Sequence, residues 1–213
     1  MLVVAKAPVP GTVKTRLGAD IGMDAAARVA AASLLDTVAA CSSASTDCHL
    51  SLAGDLDGAV RGDELRAALS GWTVHPQEGA DFAERLADAH SRVPGPVVQV
   101  GMDTPHLTRA LLWQAAAGLA RYDAVLGPAE DGGWWALALR DPTQATALAG
   151  VAMSTATTGA DTRAALVAAG LSVGTTAALR DVDTVEDADA VAALATGSRF
   201  AETWAAVREG SVA

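Results

Sequence analysis

The chain has 213 residues, of which 51% are hydrophobic and 19% are charged, and its net charge is −10. This composition is typical of a packed globular protein and excludes a disordered one. The negative charge argues against nucleic acid and against an anionic membrane surface as partners, because both require basic faces.

The length suits one α/β domain with a sizeable core, and we predict a single domain over 1–213. Cys41 and Cys48 are predicted to be free thiols in a reducing cytoplasm. No secretory signal and no transmembrane span is predicted, so the expected location is the cytoplasm. The sequence leaves the oligomeric state open, with a homodimer among the alternatives.

Short apolar runs predict strands, and apolar residues at helical spacing predict helices. The strands are predicted at 2–5, 49–53, 72–75, 96–100, 124–126, 134–139 and 171–173. The helices are predicted at 23–40, 65–69, 81–92, 107–120, 161–169, 184–194 and 200–207. A loop is predicted over 7–18, and a short helix followed by a loop over 141–159. This alternation predicts an α/β fold with a mostly parallel sheet covered by helices on both faces. Ligands bind such sheets beyond the carboxyl ends of the strands.

A basic loop follows the first predicted strand, in the segment AKAPVPGTVKTRL that begins at Ala5. Lys6 and Lys14 are the only lysines of the chain, and Arg16 adds a third cation. Gly11 lets the backbone approach a ligand closely. The segment is therefore a candidate cradle for a di- or triphosphate, in which Lys14 and Arg16 neutralise phosphoryl oxygens. It lacks Walker A spacing, and a solvated surface loop with incidental charges is the alternative.

Two acidic segments are candidate metal sites. Asp103 follows the clearest of the predicted buried strands, in the motif GMDTPHL, where a carboxylate could hold Mg²⁺ or Mn²⁺. Asp181 and Asp183 alternate in RDVDTVEDAD, so they point the same way from an extended backbone, and one of them is a candidate second ligand. The alternatives are an N-cap or turn role for Asp103, and helix capping by Thr184 and Asp187 for the second segment.

The motif GPAEDGGWW lies between two predicted strands. Gly132 and Gly133 are expected to open space beside Asp131, which could orient an acceptor hydroxyl or act as a base. Trp134 or Trp135 could stack on a sugar or a base. A hairpin turn for the aspartate and core packing for the tryptophans are the alternatives.

The segment HPQEGADFAERL carries further candidate ligand-binding residues after the third predicted strand. Gln77 could read a base edge, Gly79 follows in the loop, and Arg85 could contact phosphate or base. A plain loop and a solvated helix face are the alternative interpretation. His90 and His106 are predicted to be structural.

In this order the segments AKAPVPGTVKTRL, QEGADFAERL, GMDTPHLT, GPAEDGGWW and DVDTVEDA resemble an uncharacterised bacterial family with a glycosyltransferase type A fold. That family is labelled glycosyltransferase-like and is similar to the guanylyltransferases of deazaflavin cofactor synthesis. The resemblance covers nearly the whole chain. Two departures are Trp134, where the family usually has Tyr, and Phe82 with Ala83, where members often have Leu and Gly.

The resemblance implies a Rossmann-like mixed sheet of the nucleotide-diphosphosugar transferase superfamily, with a nucleotide in the N-terminal half. By this analogy Gly11, Lys14 and Arg16 would face the phosphates. A divalent metal, Mg²⁺ or Mn²⁺, would lie near Asp103, with Asp183 as the partner ligand.

Three functions follow as hypotheses. The first is metal-dependent transfer of a nucleotidyl group from a nucleoside triphosphate to a small phosphorylated or hydroxylated acceptor, by positioning and charge neutralisation. The second is glycosyl transfer from a nucleotide-sugar, with Asp131 activating an acceptor hydroxyl. It ranks second because GMDTP has one aspartate and no D-x-D. The third is a non-catalytic nucleotide-binding module.

Overall fold

A seven-stranded mixed sheet forms the centre of the fold. The computed structural model describes residues 1–210, and the last three residues of the predicted domain, 211–213, lie outside the described part. The strands are β1 (Leu2–Lys6), β2 (His49–Ala53), β3 (Thr73–Pro76), β4 (Val97–Gly101), β5 (Ala124–Pro128), β6 (Trp134–Leu139) and β7 (Val173–Thr175). Their order in the sheet is β3-β2-β1-β4-β6-β5-β7.

The sheet is mostly parallel. The pairs β1–β2, β2–β3, β1–β4 and β5–β7 are parallel, whereas β6 runs antiparallel to both of its neighbours, β4 and β5. The predicted mostly parallel mixed sheet is therefore confirmed. The chain adds β2 and β3 on one side of β1 and then returns to add β4 on the other side. This reversal next to β1 is the switch point at which α/β sheets bind ligands.

Eight α-helices are described within residues 1–210. They are α1 (Thr15–Ile21), α2 (Met23–Ala44), α3 (Gly62–Ala68), α4 (Phe82–Ser91), α5 (Arg109–Gly118), α6 (Thr158–Ala168), α7 (Val185–Leu194) and α8 (Arg199–Gly210), and a 3₁₀ helix spans Pro142–Leu148. The predicted loop over 7–18 is wrong in its last part, because α1 begins at Thr15. The helix escaped prediction because it has only seven residues and a lysine, not a capping side chain, at its N-cap.

The two faces of the sheet bury separate cores, because successive strand residues point to opposite faces. Val3 and Ala5 of β1 face a cluster that includes residues of α2, α3 and α5. Leu2 and Val4 face a second cluster that includes residues of α4, the 3₁₀ helix and α6. Helices therefore cover both faces, as predicted.

A third cluster lies beside the sheet and joins the two ends of the chain. Leu17 of α1 packs there with Val182, Phe200 and Trp204, together with residues of α2 and α7. Phe200 and Leu17 are fully buried. This cluster fixes α1 against the segment that precedes α7. It therefore brings the basic loop after β1 next to the acidic segment that contains Asp181 and Asp183.

The helix Met23–Ala44 is long and apolar enough to cross a membrane by length and composition alone. However, 72% of its qualifying window is buried inside the protein, where the helix packs against α1, α5 and α8. A core helix that is apolar on most sides meets the same criterion. Cys41, near the end of this helix, and Cys48 are both free, buried thiols.

His90 supplies a stability prediction. It is fully buried on α4, with Nε2 2.8 Å from Oε1 of Gln99, and burial lowers its pKa to about 4, a shift that the hydrogen bond opposes. The folded chain therefore holds His90 neutral at a pH where the unfolded chain binds a proton. Stability is lost as pH falls through about 6.5 toward 4, and the loss at pH 4.5 is about 2 to 3 kcal/mol.

The measurement is urea unfolding of the wild type and of His90→Gln at pH 7.0 and 4.5. The packing cost of His90→Gln is the same at both pH values, but the variant lacks this part of the acid-dependent loss. Its stability deficit relative to the wild type should therefore be about 2 to 3 kcal/mol smaller at pH 4.5 than at pH 7.0. The carboxylates titrate in both proteins and so contribute equally to the loss of stability at low pH. If the wild type and His90→Gln lost equal stability between pH 7.0 and 4.5, His90 would make no contribution to that loss.

Candidate functional site

A cleft of about 800 Å³ opens at the carboxyl ends of β1 and β4. Its lining combines parts of the loop after β1, the start of α4, the segment after β4, the β5–β6 hairpin and the segment before α7. The sequence-predicted residues that line it are Ala5, Lys6, Lys14, Arg16, Gln77, Arg85, Asp103, Asp131 and Asp183. The fold thus brings these nine residues together at the switch point of the sheet, along with the further candidates Trp134, Trp135 and Asp181.

Two predicted nucleotide-binding residues, Gly11 and Gly79, do not line the cleft. Gly11 lies in an exposed turn with φ +78°, and no atom lies within 4 Å of the position where its Cβ would be. Gly79 has φ +142°, and a Cβ there would lie 2.7 Å from the backbone nitrogen of Arg85. Its carbonyl oxygen accepts a hydrogen bond of 3.2 Å from Nε of Arg85. Both glycines therefore shape the loops, and Gly79 positions the arginine that lines the cleft.

Lys14 is the buried cation of the site. Its side chain is only 6% exposed, and Nζ lies 2.7 Å from Oδ1 of Asp103 and 3.0 Å from Oδ1 of Asp183. Burial lowers the pKa of Lys14, but the two carboxylates outweigh burial and hold the pKa above its usual value. The residue predicted to bind phosphate is thus bound to the two residues predicted to bind metal.

Arg16 adds a second, more exposed cation. Its side chain is 74% exposed, and NH1 lies 3.1 Å from Oδ2 of Asp183. Burial raises the pKa of Asp183, but Lys14 and Arg16 together bring it below its usual value. The arginine contacts one carboxylate and leaves most of its guanidinium free to meet a ligand.

Backbone contacts hold the acidic residues in place. The N–H of Val182 donates to the carbonyl of Asp103 at 3.0 Å, and Val182 is buried in the third hydrophobic cluster with Leu17. The side chains of Asp181 and Asp183, on either side of Val182, both reach the cleft. One buried valine therefore sets the position of both aspartates relative to the loop after β1.

Asp181 is the other candidate of the alternating pair, and it also lines the cleft although the resemblance implied Asp183 alone as the ligand. Oγ1 of Thr104 donates to its carboxylate at 3.0 Å. Burial raises the pKa of Asp181 to about 6, and the carboxylates of Asp103 and Asp131 add to the shift. The alternation of Asp181 and Asp183 was the signal for this residue, because it predicts that both side chains point the same way.

The donor set fits a hard divalent cation. Asp103, Asp131, Asp181 and Asp183 all line the cleft, and carboxylate oxygens are preferred ligands of Mg²⁺ and Mn²⁺. Oxygens of Asp103 and Asp183 both lie within 3.0 Å of one nitrogen atom, so a single cation can reach both. Within residues 1–210, no group of three or more Asp, Glu, His or Cys side chains is already arranged around a common metal position. Asp103 and Asp183 are therefore two carboxylates close enough to share one cation.

The β5–β6 hairpin forms another wall of the cleft. Oδ1 of Asp131 accepts a hydrogen bond of 2.8 Å from the N–H of Gly133, so this residue shapes the turn and also lines the cleft. The space expected beside Gly132 is instead filled by the chain. Gly132 has φ +90°, and a Cβ there would collide with the carbonyl oxygen of Ala156. The glycine permits close packing of the hairpin against the segment 153–158.

The two tryptophans have different positions. Trp135 is 2% exposed, and its Nε1 donates to the carbonyl of Ala177 at 2.9 Å, so it is a core residue although one edge reaches the cleft lining. Trp134 is half-buried, donates to Thr162 at 3.2 Å and lines the cleft. Of the two residues predicted to stack on a ligand, Trp134 is better placed to do so.

Several lining residues went unrecognised in the sequence, chiefly in the segment between the 3₁₀ helix and α6. They are Met153, Ser154, Thr155, Ala156 and Thr158, together with Phe82 and Gln99. The segment has no regular period, and no spacing in it indicates contact with a hairpin more than twenty residues away.

The fold matches that of nucleotide-diphospho-sugar transferases. A protein from Desulfovibrio desulfuricans G20, provisionally described as a nucleotide-diphospho-sugar transferase, is similar with a TM-score of 0.83 and 29% identity over 99% of this chain and 95% of that chain. A CMP:2-keto-3-deoxy-manno-octonic acid synthetase complexed with CTP has a TM-score of 0.56 and 11% identity, over 91% and 97%. The Mycobacterium tuberculosis H37Rv protein Rv0371c in complex with manganese has a TM-score of 0.50 and 24% identity, over 89% and 96%. The last two show the fold alone.

The family model described as "Uncharacterized protein conserved in bacteria (DUF2064)" matches residues 34–155, which is more than half of the chain. The chain belongs to this family. No curated protein matches its sequence significantly. The expected bacterial family and the nucleotide-diphosphosugar transferase fold are therefore confirmed, and the relation to deazaflavin guanylyltransferases stays a prediction.

The contact between Gly132 and Ala156 allows a test of the packing between the β5–β6 hairpin and the segment 153–158. Gly132→Ala adds a Cβ in a left-handed conformation and forces apart the hairpin and the segment 153–158. Gly150→Ala is the matched control, because Gly150 has φ +82° and no atom lies within 4 Å of its Cβ position. We expect Gly150→Ala to lower the unfolding free energy by about 1 kcal/mol and Gly132→Ala by at least about 2 kcal/mol more. The measurement is chemical denaturation, and equal losses would contradict the close packing.

Proposed function

We propose that this protein is a metal-dependent nucleotidyltransferase that uses a nucleoside triphosphate and a small hydroxylated acceptor. One observation carries the proposal: Lys14 and Arg16 lie directly against Asp103 and Asp183 in the cleft at the switch point of the sheet. Two cations suit a phosphate chain, and two carboxylates suit the divalent cation that accompanies it.

The chemistry follows from these charges. An acceptor oxygen would attack the α-phosphorus, the bond from that phosphorus to the bridging oxygen would break, and pyrophosphate would leave with the electron pair. Lys14 and Arg16 would neutralise the charge that develops on the leaving group. A divalent cation, Mg²⁺ or Mn²⁺, held by Asp103 and Asp183 would supply further neutralisation and alignment of the phosphates. Asp131 would take the proton of an acceptor hydroxyl.

The nucleotide and the acceptor would occupy different parts of the cleft. Ala5, Lys6, Gln77 and Arg85 line the part contributed by β1, the segment after β3 and α4, where we place the nucleotide. Gly11 would contribute by allowing the turn in the loop after β1 that leads to Lys14 and Arg16. Gly79 would contribute by accepting the hydrogen bond that positions Arg85.

The acceptor wall supports a hydroxylated acceptor over a phosphorylated one. In the described part of the chain, the cleft residues of the hairpin and of the segment 153–158 include hydroxyl groups, the indole of Trp134 and the carboxylate of Asp131, but no basic side chain. A phosphate bound there would meet a carboxylate without a cation, which is unfavourable. An acceptor hydroxyl would meet hydrogen-bonding partners and a base.

Glycosyl transfer from a nucleotide-sugar is the second candidate. The 29% identical D. desulfuricans protein is described in those terms, and Asp131 with Trp134 could hold a sugar acceptor equally well. A non-catalytic nucleotide-binding module is a third alternative, and the four carboxylates of the cleft argue against it.

The CTP-bound synthetase and the resemblance to guanylyltransferases make CTP and GTP the first donors to test. We also propose that the protein is cytoplasmic and that residues 1–213 form a single domain. Its oligomeric state is either a monomer or a homodimer.

The test is a thermal-shift screen of nucleoside triphosphates and nucleotide-sugars with Mg²⁺, Mn²⁺ or a chelator, followed by calorimetry on the best ligand. A ligand that binds only the native state raises the melting temperature. We expect a metal-dependent rise with at least one triphosphate. Arg16→Met should weaken its binding by about tenfold or more, because a charge-assisted contact is lost. Arg121→Met is the charge-matched control, since Arg121 is exposed and lies outside the cleft lining.

A second assay then measures the release of pyrophosphate from the bound triphosphate in the presence of monosaccharides and polyols. Such release is expected for nucleotidyl transfer and not for glycosyl transfer. A response to nucleotide-sugars alone would replace nucleotidyl transfer by glycosyl transfer. Absence of any metal-dependent response would contradict both.

A further inference from the structure

Only part of the positive charge in the cleft is paired with its carboxylates. Four carboxylates line it, and in the described residues only two basic side chains, Lys14 and Arg16, form salt bridges with any of them. Arg16 is mostly exposed and reaches Asp183 alone, whereas Lys14 is buried and reaches both Asp103 and Asp183. The ammonium group of Lys14 is therefore the charge at the position that the two carboxylates share.

That position is the one a divalent cation would take. A metal ion bound by both Asp103 and Asp183 must lie between their oxygens, where Nζ of Lys14 now lies 2.7 and 3.0 Å from them. Two positive charges a few ångströms apart repel, so the ammonium group and a metal ion compete for the two carboxylates.

The side chain of Lys14 is not tied to the helix that it precedes. Lys14 has φ +48° and ψ +40°, a left-handed conformation that non-glycine residues rarely adopt, and it caps α1 without a side-chain hydrogen bond to the helix. The ammonium group is therefore held by the two ion pairs, whereas the backbone of Lys14 is fixed by its carbonyl oxygen, which accepts a hydrogen bond of 2.7 Å from the N–H of Gly18. A phosphate chain entering the cleft offers the ammonium group equivalent partners.

We propose that Lys14 is an exchangeable counter-ion, which neutralises Asp103 and Asp183 until a divalent cation arrives with a phosphate chain and then transfers to the phosphate oxygens. The inference rests on the proposed metal site, and it adds that metal and nucleotide bind cooperatively. Metal alone binds weakly because it must displace a buried ammonium group. Metal with nucleotide binds well because the displaced ammonium group gains a new anionic partner.

The test uses Mn²⁺ alone, without nucleotide, on the full chain, with free Mn²⁺ measured by electron paramagnetic resonance. Lys14→Met removes the competing charge, and we expect it to bind Mn²⁺ about tenfold more tightly than the wild type. Lys6→Met is the matched control, because it removes the same charge from the same cleft and Lys6 forms no salt bridge within residues 1–210. It should change the Mn²⁺ affinity by about twofold or less.

Adding Asp103→Asn to Lys14→Met should abolish the gain in affinity and so locate the metal. If Lys14→Met does not fold, Lys14→Gln gives the same comparison, because a neutral amide can donate hydrogen bonds to both carboxylates. An affinity of Lys14→Met no higher than that of Lys6→Met would overturn the proposal. So would a gain that survives Asp103→Asn, or the absence of Mn²⁺ binding by every variant. The nucleotide screen tests the proposed function separately, since this measurement contains no nucleotide.

Discussion

The ion pairs of Lys14 tie together three parts of the chain that are far apart in sequence. Burying an ammonium group is unfavourable unless carboxylates compensate it, so the loop after β1 can adopt its position only with Asp103 and Asp183 in place. The hydrogen bond from Val182 to the carbonyl of Asp103 and the packing of Val182 with Leu17 hold these parts in register. The cleft is thus a consequence of charge compensation at its base.

The sheet explains why these charges meet where they do. Parallel strands β1 and β4 are neighbours, so the segments that follow their carboxyl ends are close together. The antiparallel strand β6 then places the β5–β6 hairpin at the same edge, and its Gly132 admits the segment 153–158. The loop after β1 therefore supplies cations, and the segments after β4 and before α7 supply carboxylates, to the same cleft. Stabilising the charge of a phosphate chain and its metal ion requires this arrangement.

Much of this could be predicted from local pattern, and the rest could not because it depends on distant contacts. Apolar runs located all seven strands to within two residues, since buried strands have a short and strong signal. The restriction of lysine to positions 6 and 14 marked the basic loop. The pairing of Lys14 with its proposed metal ligands spans 169 residues to Asp183 and has no local signature. The same holds for the packing of the segment 153–158 on Gly132 and for the burial of Asp181.

The central claim is that Lys14, Asp103 and Asp183 form one site in which an ammonium group and a divalent cation exchange. A crystal structure with Mn²⁺ and the triphosphate that stabilises the protein most tests it directly. The account predicts Mn²⁺ coordinated by Asp103 and Asp183, with Nζ of Lys14 moved from the carboxylates to phosphate oxygens. A structure in which Lys14 still bridges the two carboxylates while metal and triphosphate bind elsewhere would contradict it.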